Sequence, residues 1–157
     1  MLRTVALVAA LAVGATAVYA QNLPVIKERR ETMRAIAGQS TPIFKMSKGE
    51  EQLDLAKVQA GIKIMSDGFT KFKGLFPADA KTGGETDADP TIWTKRAEFD
   101  GVIQKVQADL AAAASAIKDE ATFKEHFAKI TGGCGGCHKA SDGFTIRLGD
   151  SFKKPRP

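Results

Sequence analysis

Apolar residues recur three and four positions apart along four stretches of this chain, the spacing that places them on one face of a helix. The longest stripe is Leu55, Val58, Ile62, Met65, Phe69, Phe72 and Phe76, which predicts a helix from about Glu50 to Phe76, stopped by Pro77. Another stripe, Ile92, Phe99, Ile103, Val106, Leu110, Ala113 and Ile117, predicts a helix that starts near Pro90. A last one, Phe123, Phe127, Ile130, Cys134 and Cys137, belongs to a helix beginning near Asp119. Ahead of them all, Ile26, Arg29, Met33 and Ile36 share a face on a helix expected from about Pro24 to Ala37. Pro24 suits its first turn and Gly38 its C-terminal cap. Gly61 and Gly68 fall inside the second helix at ~1 kcal/mol each relative to alanine, so they either admit a close neighbour or are merely tolerated.

Four amphipathic helices with short to moderate connections predict an all-α fold, an antiparallel up-down-up-down four-helix bundle. The polar segment 77–89, with Gly83 and Gly84, reads as the loop between the second and third helices. In this topology the end of the last helix lies beside the start of the first, the end of the second and the start of the third. A site there would draw on Val25 to Met33, Met65 to Phe76 and Ile92 to Phe99.

The first twenty residues follow another pattern. Arg3 precedes an apolar run from Val5 to Val18, and Val18-Tyr19-Ala20 offers a small residue before a cut. The run is shorter than the ~18 residues a spanning helix needs. It predicts a signal peptide over 1–20, a helical domain over 21–148 and a basic tail over 149–157 carrying Lys153, Lys154 and Arg156. No membrane anchor is expected after cleavage. Without Arg3 the 23 Lys and Arg become 22 against 18 Asp and Glu, a formal +4. So mild an excess points to no nucleic-acid partner, though a basic surface suits an acidic redox partner.

The chemistry is concentrated in Cys134-Gly135-Gly136-Cys137-His138. These are the only two cysteines, and His138 is one of two histidines. Two cysteines three apart with a histidine next form the c-type haem attachment pattern. On a helix both thiols reach one porphyrin edge to make thioethers with its vinyl groups, and the imidazole shares their face and can ligate iron. The cofactor expected is one haem c, bound near the C-terminal end of the last helix. The glycine pairs at 132–133 and 135–136 weaken that helix by ~3–4 kcal/mol relative to alanine, so the apoprotein is expected to fray there. The opposite face of the iron has the candidates Met33, Met46, Met65 and His126. Met46 lies at the wrong end of the bundle, and His126 is ~18 Å from His138 along the same helix. Met33 and Met65 stay open on position alone. A thiol oxidoreductase would need a βαβ context, and a zinc site about four ligands where three are near.

Beyond the haem motif, the chain has Arg29-x-x-x-Met33, Leu75-Phe76-Pro77, Thr82-Gly83-Gly84, Ile92-Trp93 and Ala97-x-Phe99-Asp100. With these it resembles the class II c-type cytochromes, the cytochrome c′ family, over roughly Val25 to His138. The resemblance implies that Met33 faces the iron opposite His138, as in the low-spin members, and that Arg29 lies near the haem propionates. It implies a periplasmic one-electron carrier rather than an enzyme, with an unidentified redox protein as partner and a homodimer through the first two helices left open. The alternative it implies is a five-coordinate haem protein that binds nitric oxide or carbon monoxide. One departure is the length of Lys139 to Pro157, since the family usually ends soon after the haem histidine.

Overall fold

The structure, a computed structural model, describes residues 2–83, 86 and 88–138, with side-chain surroundings from residue 23 onward. The basic tail over 149–157 lies outside the described residues. Helix α1 spans Leu2–Ser47, far beyond the expected stop at Gly38. Gly38 is exposed and caps nothing. The helix also passes Pro42, which has no N–H for the Gly38 carbonyl. The Ser40 and Thr41 hydroxyls both donate to the Ala37 carbonyl at 3.0 Å in that turn. Packing outweighs propensity here. Ile43 and Met46 are 2% and 6% exposed, and burying two such side chains stabilises by about 3–6 kcal/mol. An interior glycine and proline together cost about 4 kcal/mol. The glycine that ends α1 is Gly49, at φ +74°, a left-handed conformation that favours glycine. Its N–H donates to the Met46 carbonyl at 3.1 Å, and Glu50 N–H to that of Lys45 at 3.0 Å. This pair of bonds is a Schellman cap.

Helix α2 spans Leu55–Lys73. It starts five residues later than expected, because Asp54 caps it by accepting from Lys57 N–H at 3.0 Å. The predicted stripe is its buried face, and Phe76 stays buried beyond its end. The two internal glycines are contacts. A Cβ on Gly61 would lie 2.7 Å from Ile43 Cδ1, and one on Gly68 would lie 2.6 Å from Ile36 Cγ1. Their absence lets α1 seat its isoleucines directly on the α2 backbone.

The third predicted helix is two. Helix α3, Thr91–Thr94, is a single turn, and α4 spans Arg96–Ala116. Lys95 at φ −115°, ψ 43° breaks them. Helix α5, Glu120–His138, is capped reciprocally. Asp119 Oδ1 accepts from Thr122 N–H at 2.8 Å, and Asp119 N–H donates to Thr122 Oγ1 at 3.2 Å. Helix α1 packs on α2, α2 on α4, α4 on α5 and α5 on α1. The four long helices therefore form the expected bundle, with Val58, Ile62, Met65, Ile103, Val106, Leu110 and Phe123 in its core.

Candidate functional site

The four long helices enclose a cavity of about 270 Å³. Met33, Ile36, Ala37 and Ser40 of α1 form one wall, and Cys134, Cys137 and His138 of α5 face it with Gly133. Phe69 and Phe72 of α2 and Ile103 and Val106 of α4 close the sides. Met33, Cys134, Cys137 and His138 are thus brought to one apolar space. Met65 and Met46 are not: at 1% and 6% exposure both belong to the core. His126 does not line the cavity either. Gly133 also has a packing role, since a Cβ there would lie 2.7 Å from Val106 Cγ2.

The cavity lies further along α1 and α4 than the bundle topology suggested. Ile36 to Ser40 replace most of Val25 to Met33, and Ile103 and Val106 replace Ile92 to Phe99. The reason is a plug at that end of the bundle. Arg29, 5% exposed, donates from Nε to the Leu75 carbonyl at 2.9 Å and from Nη2 to that of Ala80 at 3.0 Å. Its Nη1 donates to Thr86 Oγ1 at 3.2 Å. Its guanidinium lies 4.2 Å from the Phe76 ring centroid and 5.6 Å from that of Trp93. Arg96 holds the same connection from α4, donating to the Phe76 carbonyl at 2.9 Å and the Lys73 carbonyl at 3.1 Å. Trp93 Nε1 donates to the Pro77 carbonyl at 2.9 Å.

Arg29 is therefore no solvated charge, although Lys27, Arg30 and Arg34 are its neighbours in sequence. Burial lowers its pKa to about 10, so it stays a cation at neutral pH. Among the described residues it meets no carboxylate. Sequence reasoning missed Arg96 and the clamping role of Trp93. Neither sits on an apolar stripe, and their acceptors are backbone carbonyls that no residue pattern reveals.

The thiols are not tuned for redox exchange. Burial pushes the Cys134 thiol up, and burial with the neighbouring Cys134 pushes Cys137 up to about 11. A reactive thiol needs the opposite shift. Among the described residues no three His, Cys, Asp or Glu side chains gather as they would on a metal ion. A donor set of two thiols, an imidazole and a thioether around one apolar cavity fits a covalently held haem instead.

The family model described as Cytochrome C′ matches residues 24–140. The chain belongs to the cytochrome c′ family. A cytochrome c′ of Rhodopseudomonas palustris is 37% identical over 134 residues, covering 85% of this chain and 92% of the relative. A cytochrome c-556 of the same organism is 31% identical over 143 residues, covering 88% and 95%. The solved structure of cytochrome c′ from Rhodopseudomonas palustris superposes with a TM-score of 0.70 at 39% identity, over 74% of this chain and 98% of that one. The cofactor of this family member is covalent haem c, and its bundle is the cytochrome c′ bundle. None of the helices with described side chains is long and apolar enough to cross a membrane.

Proposed function

We propose that Cys134 and Cys137 hold the haem, that His138 ligates its iron and that Met33 faces the other side of it. The observation that carries this reading is that Met33 and His138, from two different helices, line one cavity with both cysteines. When bound, haem c supplies an iron that changes oxidation state by one electron and accepts a diatomic molecule on a face the protein leaves open. Phe69, Phe72, Ile103 and Val106 keep water from that space. Arg29 has N–H groups left over, and a propionate is the anion that its buried charge calls for. Met33 has two possible states. Similarity to proteins named cytochrome c′, at 37% in sequence and 39% among solved structures, favours a five-coordinate iron. In that state Met33 is an apolar wall, and nitric oxide or carbon monoxide binds beside it. The second reading, a six-coordinate one-electron carrier, is favoured by the thioether of Met33 itself, a usual partner of histidine on iron.

Segment 1–20 precedes the family match and has the signal-peptide pattern, so we place the mature protein in the periplasm, where it exchanges electrons with a redox protein. Optical spectra of the ferrous protein with and without carbon monoxide separate the two states. A high-spin spectrum and prompt, stoichiometric binding support the open iron. A low-spin spectrum that refuses the gas supports the closed one, and Met33→Ala then has to make it bind. If Met33→Ala leaves a low-spin spectrum unchanged, Met33 is not the ligand. Haem that washes out of the denatured protein would sink thioether attachment.

A further inference from the structure

A second concavity, about 530 Å³, opens between α4 and α5. Gly132 and Gly136 of α5 face Gly101 and Val102 of α4 across it. Side chains built on Gly101, Gly132 and Gly136 would meet nothing within 4 Å, so the hollow exists because those side chains are missing. Gly133 lines this hollow and the haem cavity alike. On α4, Val102 and Lys105 line the hollow, whereas Ile103 and Val106 line the cavity. The two spaces therefore stand back to back at the α4–α5 seam.

Val106 closes that seam. It is 1% exposed. The atoms nearest to a Cβ built on Gly133 are Val106 Cγ2 at 2.7 Å, Val106 Cβ at 3.8 Å and Asp109 Oδ2 at 3.9 Å. Asp109 is itself held by Lys105 Nζ at 2.7 Å. One valine against one bare backbone is a thin barrier. The α1–α2 seam is filled by Ile36 on Gly68 and Ile43 on Gly61. The α2–α4 seam carries the Phe76 and Phe99 rings at 4.7 Å and a Gln107–Thr70 hydrogen bond at 2.9 Å. A helical valine keeps one χ1 rotamer about nine-tenths of the time and leaves it for the rest. Each departure withdraws a methyl group from Gly133. A small uncharged molecule can cross an apolar gap of that kind, whereas an ion would have to shed its water.

We propose that the α4–α5 hollow is the entrance for a diatomic ligand and that Val106 on Gly133 is its gate. The proposal rests on the reading that the haem of this protein takes such a ligand. It assigns Val106 control over how fast the ligand arrives and leaves, separate from how tightly it is held.

The test is carbon monoxide binding to the ferrous, haem-loaded protein, with association and dissociation rates measured separately. Val106→Ala should raise both rates by roughly three- to tenfold, since the gate of the parent is closed about nine-tenths of the time, and leave their ratio unchanged. Gly132→Leu, whose side chain fits the folded helix and fills the hollow, should lower both rates together. Unchanged rates in Gly132→Leu overturn the proposal and mean entry by another seam, such as α1–α5. A Val106→Ala protein in which only the dissociation rate moves also overturns it, because Val106 is then a wall of the binding site and no gate. A parent that binds no carbon monoxide counts against the open iron, and the same two substitutions are then read in the Met33→Ala background. No binding in either background overturns both readings.

Discussion

At the scale of single residues, the side chains that matter most are those whose surroundings differ from their neighbours in sequence. Arg29 is one of four cations within eight positions, yet it alone is buried. Its planar fork serves three acceptors at once. An ammonium cannot reach the Leu75 and Ala80 carbonyls and Thr86 together, so at least one buried carbonyl loses its donor. Arg29→Lys should therefore lower stability by about 1–3 kcal/mol in urea denaturation of the haem-loaded protein. No measurable loss would show that the clamp contributes nothing. The attachment motif was legible because Cys-x-x-Cys-His is a pattern written in adjacent letters. Met33 was legible only to within a choice of two methionines. Met65 sits on an equally regular stripe, and only the packing sends one to the cavity and the other to the core.

At the scale of elements, glycine shows why sequence pattern ran out. Gly38 and Gly68 both interrupt helical stripes, and one looked like a cap. The cap is at Gly49, where φ is +74°. Gly38→Ala should raise stability by about 0.5–1 kcal/mol, because its Cβ meets nothing within 4 Å. Gly68→Ala gains the same propensity and should still lower stability by about 1–3 kcal/mol, since its Cβ would press on Ile36 at 2.6 Å. Thermal unfolding of the two variants should move in opposite directions; a shared sign would refute the contact at Gly68. The start of α5 has its own pH signature. Hydrogen bonds from Thr122 hold the Asp119 carboxyl below its ordinary 3.8. A lowered carboxylate pKa gives stability that is complete above the unfolded value and is lost as pH falls through the folded one. Melting temperatures recorded downward from pH 5 should therefore drop less steeply in Asp119→Asn than in the parent. Equal slopes would show that the cap carries no acid dependence.

At the scale of the whole molecule, the bundle and its haem end could be read from periodicity and one motif, whereas the depth of the cavity could not. That depth depends on how far α1 slides along α2, and α1 was expected to stop at Gly38. The covalent haem joins α5 to this arrangement across a stretch of glycine. Protein matured without haem should exchange amides of 132–138 faster than the holoprotein by roughly tenfold or more, while α2 and α4 stay protected. Uniform loss of protection would mean that haem builds the whole bundle. The isoleucines of α1 seated on the glycines of α2 have a consequence for register. Ile36 and Ile43 are seven residues apart, as are Gly68 and Gly61. Two teeth in two notches admit one axial setting, and the next coincidence is a slide of ~10 Å, more than a third of α2. Since Met33 is one turn from the first tooth, its height against His138 across the cavity is gauged by the seating of α1 on α2. Sequence drift can therefore change either tooth only together with its notch, or Met33 and His138 fall out of line across the cavity.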